Sequence, residues 1–119
     1  MSAESELVTA LSSPAVVAAL GSRVYPDFLP ESCQYPAAIY ARAATQPVQS
    51  IAGQHFGDFV DFQISIWSKP PRGSLDAAAD VVEMALRTAG HNVTGRDAGV
   101  DQEMGLIATT ITVQVLALA

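Results

Sequence analysis

His55, Asp58 and Asp61 stand at H-x-x-D-x-x-D spacing. On a helix that spacing would gather three ligands on one face, where they could hold a divalent cation. Here the pattern runs from a polar segment into alternating apolar residues, where the three side chains cannot converge. They read as solvated loop and strand residues. Asp97, Asp101 and Glu103 hint at a calcium loop, but Gly99 occupies the position where an EF-hand needs an oxygen ligand. Cys33 is the sole cysteine. Nothing in the spacing joins it to His55 or His91, and it reads as a small, partly buried hydrophobe rather than a nucleophile. The chain holds no G-x-S-x-G elbow, no P-loop and no G-x-G-x-x-G after a strand. No catalytic, cofactor or metal site is expected, and the chain is not read as an enzyme.

The totals point elsewhere. A chain of 119 residues is expected to form a single domain spanning 1–119. Half of the residues are apolar and 15% are charged. Such an interior-rich composition suggests that a partner covers some of the surface, because monomers seldom expose large apolar patches. Net charge is −6, and the six basic residues, Arg23, Arg42, Lys69, Arg72, Arg87 and Arg96, lie singly. Tight binding to nucleic acid is therefore disfavoured. The N-terminal residues carry Glu4 and Glu6 where a secretion signal needs basic residues. The apolar run 106–118 is interrupted by threonines and is shorter than a bilayer-spanning helix. The expectation is a soluble protein of a reducing cytosol, with no membrane partner.

The chain order predicts the elements. Leu7, Val8 and Leu11 share a helical face, and Ser13-Pro14 reads as a break with proline at a new first turn that closes at Gly21. The segment RVYPDFLPESCQYPAAIY, Arg23 to Tyr40, is too proline-rich for a helix and too aromatic for a loose linker. It is expected to be an ordered crossover, with Tyr25, Phe28 and Leu29 pinning it to the core or to a neighbouring subunit. A strand is predicted over 37–44. Thr45–Gly57 is predicted to be a long polar loop carrying Gln46, Gln49, Gln54 and His55, and loops of that length are commonly functional. Phe59–Ser68 alternates with period two: Val60, Phe62, Ile64 and Ile66 on one face, Asp61, Gln63, Ser65 and Trp67 on the other. Ser74 is expected to cap a helix to about Ala89, with Leu75, Ala78, Ala79, Val82 and Leu86 as its stripe. A short strand over 91–96, an acidic turn over 97–105 and a last strand over 106–118 complete the order.

The predicted fold is α+β: a two-layer sandwich of a mainly antiparallel four-stranded sheet with two helices on one face, in the order α-β-β-α-β-β. Trp67 falls on the face away from the core. It either covers a sheet edge or anchors an interface, since tryptophan is enriched at binding hot spots. Tyr40, on the neighbouring strand, poses the same choice.

Arg23-Val24-Tyr25-Pro26, Leu29-Pro30 and Pro36-Ala37-Ala38-Ile39-Tyr40, followed by VDFQISIWS (Val60–Ser68), the helix 75–86 and the hairpin 104–115, resemble in order and spacing the tail terminator, or tail-completion, proteins of long-tailed phages and phage-derived particles. The resemblance covers nearly the whole chain. It implies a structural virion protein at the head-proximal end of the tail, assembled in the host cytoplasm. It would form a ring, usually hexameric, that caps the tube and ends its polymerisation. Its partners would be copies of itself, the major tail tube protein and a head-completion or stopper protein, with DNA passing through the bore. An acidic bore would not hold DNA, and a ring needs two different, matching patches on each subunit. The polar loop with Gln46, Gln49, Gln54 and His55 would point toward tube or bore, and Trp67, Tyr40, Tyr25 and Phe28 are candidate interface anchors. Two alternatives stand beside this: a stopper-like connector of the same particle, or a small α+β ligand-binding domain or enzyme with a pocket at His55 or His91.

Overall fold

The computed structural model describes residues 3–21, 23–27, 29, 34–49, 55–103 and 105–118, with backbone alone at 46–49, 55–56 and 117–118. Two short helices open the chain, α1 (Ala3–Leu11) and α2 (Pro14–Leu20). They are separate because Pro14 has no N–H to continue α1, whereas it suits the first turn of a new helix. Leu7 and Leu11 of α1 and Val16 and Leu20 of α2 are buried. Gly21 ends α2 at φ 63, with its N–H donating to the Val17 carbonyl at 2.7 Å. That left-handed φ favours glycine.

One feature of the crossover differs from the sequence-based expectation. Val24–Pro26 forms a short strand, β1, which pairs in parallel with β2 (Ala37–Gln49) through Val24↔Ala38, Tyr25↔Ile39 and Pro26↔Tyr40. The Arg23 Nε–H also donates to the Pro36 carbonyl at 2.9 Å, fastening the two ends of the crossover. The sheet is therefore five-stranded and mixed rather than four-stranded and antiparallel, in the order β1-β2-β3-β5-β4, and three helices, not two, are present among the described residues. Three residues are too few to show a periodicity, so β1 exists through its pairing.

β2 and β3 (His55–Ser68) are long, at 13 and 14 residues. Most of the expected 45–57 loop is paired strand: Thr45↔Val60, Gln46↔Phe59, Pro47↔Asp58 and Gln49↔His55. The polar composition of 45–49 concealed a strand because β2 is an edge strand beyond β1, where Pro47 forfeits no ladder bond on its outer side. A bulge falls between Arg42 and Ala44.

Helix α3 (Arg72–Thr88) starts earlier than expected, with extended Pro71 rather than Ser74 as its N-cap. Its stripe of Leu75, Ala78, Ala79, Val82 and Leu86 is buried as expected. β4 is also longer than expected, covering Asn92–Asp101, because every residue from Arg96 to Asp101 finds a partner on β5 (Leu106–Leu118). The turn shrinks to 102–105, where Gly105 takes φ 66.

The three helices cover one face of the sheet. Phe62, Ile64 and Ile66 of β3 and Ile111, Val113 and Val115 of β5 form the core with Leu7, Leu20, Leu75, Val82 and Leu86. Burying side chains of this size contributes roughly 1.5–3 kcal/mol each. The molecule is elongated, 52 × 29 × 23 Å. Cover by the helices is uneven across the strands: Thr45, on the helix side of β2, is exposed, while its partner Val60 is buried. β5 accompanies β3 as far as Gly57↔Leu118, so this end of the sheet is the three-stranded arm β2-β3-β5.

Candidate functional site

The register sorts the proposed interface residues by face. Trp67 pairs with Ala37 and Ala108, and Tyr25 pairs with Ile39, whose partner on β3 is Ser65. All lie on the sheet face without helices. Trp67 and Tyr25 are half-buried there, while Ala37 and Ala108 beside Trp67 are buried. This face also carries Gln63, Ser65, Thr110 and Thr112, and the hydroxyls of Ser65 and Thr110 lie 3.2 Å apart.

Tyr40 belongs to the opposite side. It pairs with Ile64, is 9% exposed and sits in the core cluster. Little of its ring is left to a neighbouring subunit. Burial, and secondarily the Glu4 and Asp27 carboxylates, push its phenol above the ordinary value of 10.0. Two positions on, Arg42 is exposed at the base of the arm, its guanidinium 5.9 Å from the centre of the Phe62 ring. Gln46 and Gln49 belong to the outer half of β2, and His55 begins β3 opposite Gln49. Their side chains, and Gln54, Phe28 and Cys33, lie outside the described residues.

A groove of about 1090 Å³ opens on the helical layer, a feature not found from the sequence. Ala10 of α1, Pro14 and Ala15 of α2, Met84 and Ala85 of α3 and Leu116 of β5 line it. Because the lining comes from four elements, no single periodic stretch could reveal it. Met84 is 65% exposed and Leu116 41%. Glu6 and Asp80 stand at the rim, and His91 lines one end. His91 thus meets a groove as the ligand-binding alternative requires, although its imidazole makes no hydrogen bond among the described residues. Among those residues no group of three His, Cys, Asp or Glu could hold a metal ion, and no helix is long and apolar enough to cross a membrane.

Carboxylates gather beside the groove. Arg96 of β4 reaches α3, 2.7 Å from Asp80, 3.9 Å from Asp76 and 4.0 Å from Glu83. Glu83 also pairs with Arg87 at 3.6 Å. With Glu6, four carboxylates face two guanidinium groups, so this rim is acidic.

Among the described residues the candidate site is thus made of surfaces and an arm. The sequence model of the family Tail completion protein gp17 matches residues 5–117. The chain belongs to this tail-completion family. It is thus a structural component of a phage-type tail, located in the virion. In fold it is similar to a chain of a solved structure described as the virion of a native gene transfer agent particle, with TM-score 0.72 and 17% identity, covering 95% of this chain and 92% of that one. No curated protein matches the chain in sequence. For a tail-completion protein, the exposed apolar groove, the bare sheet face and the arm are surfaces that other tail components can cover.

Proposed function

We propose that the chain acts as one domain in a hexameric ring that caps the tail tube, ends its polymerisation and gives the surface on which tail and head join. Its partners are other copies of itself, the major tail tube protein and a head-completion protein, and DNA passes through the bore. The observation that carries this reading is the arm. Among the described residues β2, β3 and β5 continue beyond the stretches that β1 and β4 flank, so one end of each subunit has open strand edges to offer the tube while the other keeps the full five-stranded sheet. The polar residues Gln46 and Gln49 belong to the outer part of β2 and His55 begins β3; with Gln54, the residue before His55 in sequence, they suit contact with tube or bore. Trp67 and Tyr25 on the bare face, with Phe28 nearby in sequence and the remaining edge of Tyr40, are the proposed anchors between subunits. A net charge of −6 per copy keeps the bore from gripping DNA.

The test is genetic and visual. Particles made without this protein should carry overlong tubes or tails that fail to join heads. Deleting 49–54 should leave folded subunits that no longer cap tails, whereas full capping by that variant would overturn the assignment of the arm. Tubes of normal length that merely fail to join heads would move the function to a stopper on the head side.

A further inference from the structure

Among the described residues the arm is open along both of its edges. On one side β1 pairs only with residues 38–40 of β2, so among the described residues β2 has no outer partner from Ala41 to Gln49. On the other side β4 begins at Asn92↔Gln114, so among the described residues β5 has no outer partner from Val115 to Leu118. The register places the two open stretches at the same level: Thr45 lies across from Val60, and Val60 across from Val115. Because β2 and β5 both run antiparallel to β3, they run parallel to each other. Unpaired strand edges are templates for pairing with another chain.

We infer that the open end of β5, with the apolar groove beside it, receives the outer edge of β2 from a second copy of this chain. Rotation about a single axis preserves strand direction relative to that axis, so the neighbour's β2 runs parallel to β5 and continues its sheet. The contact is heterologous: each copy presents β2 to one neighbour and β5 to the other, and the series closes into a ring. Charge fits the same placement. Arg42 is the only charged residue on β2 and lies on the helix side of the strand. The groove it would approach carries Glu6 and Asp80 at its rim, with carboxylates in excess of guanidinium groups. Met84 and Leu116, both exposed in the isolated chain, would become covered.

The inference rests on the self-association proposed above, and the experiment separates the two. Arg42→Glu alters the β2 side and Met84→Glu alters the groove side, both at exposed positions. Each variant alone should be monomeric by native mass, with self-association weakened at least tenfold and an unchanged circular dichroism spectrum. Mixed together they should form a 1:1 dimer that grows no further, because only one intact β2 edge and one intact groove remain. If both variants assemble like the parent chain, the interface lies elsewhere and the ring reading survives. If the parent chain stays monomeric even on tube ends, both readings fall. Should either variant not fold, Ala44→Cys with Leu116→Cys in a Cys33→Ser background gives an independent readout. Oxidation should produce a ladder of covalent oligomers, while no product, or a covalent dimer alone, would overturn the inference.

Discussion

The Arg96 guanidinium donates to the Asp80 carboxylate at 2.7 Å and so ties the edge strand β4 to helix α3. β4 otherwise offers little to the core: Val93 is half-buried, and residues 94–100 are exposed. Arg96 also reaches the Asp76 carbonyl at 3.5 Å. Isolated surface pairs contribute about 0–1 kcal/mol, and one guanidinium serving several acceptors sits at the upper end of that range. Arg96→Ala should therefore cost about 1 kcal/mol in denaturant unfolding. Amide exchange should accelerate first along β4, and high salt should shrink the difference between variant and parent.

Ser13 occupies the N-cap of α2, yet its side chain makes no capping bond, and its buried Oγ has no partner among the described residues. A serine that capped its helix would cost about 0.5–2 kcal/mol when changed to alanine. Here Ser13→Ala removes an unsatisfied buried hydroxyl, a change that is neutral or stabilising. Its melting temperature should equal or exceed that of the parent chain, and a clear fall would show that the hydroxyl is bonded in solution.

Gly21 meets two obstacles to substitution. Its φ is 63, and an added Cβ would lie 2.9 Å from Arg23 Nη1. Arg23 cannot retreat without disturbing its bond to the Pro36 carbonyl. Gly21→Ala should cost about 1–2 kcal/mol. Arg23→Ala should relieve the contact, so the double variant should lose less than the sum of the two single changes.

Tyr40 gives a pH signature. Its phenol is raised by burial, with smaller contributions from Glu4 and Asp27. A folded-state pKa above the unfolded value means that the protonated form is favoured by the fold. That stabilisation is fully present below the ordinary value of 10.0 and is lost as pH rises through the raised one. Ultraviolet titration of the folded chain should show a late-ionising tyrosine that disappears in Tyr40→Phe. Denaturant midpoints of the parent should decline in that alkaline range more steeply than those of the variant.

How far the sequence discloses this fold depends on which residues carry the signal. β5 was legible to its ends, because Ile107, Ile111, Val113 and Val115 keep strict alternation between a glycine turn and the chain end. The stripe of α3 was equally plain. β4 and the outer half of β2 were not, since Gly95, Gly99, Gln46 and Pro47 carry no strand preference and owe their conformation to a long partner strand. The faces followed the same division. Alternation along β3 put Trp67 away from the core, as the register has it. Tyr40 looked equivalent from composition alone, but it faces Ile64, and only the pairing reveals that. The groove was invisible for a third reason: Ala10, Pro14, Met84 and Leu116 are brought together by packing.

The 14 residues of β3 run unbroken from the arm to the far end of the sheet, flanked by β2 and β5 over most of that length. A tug on the arm along its axis is therefore met in shear. The ladder bonds on both sides of β3 take the load together instead of parting one after another, as they would if the hairpin were peeled from its tip. The subunit is therefore stiffest along the strands of its arm.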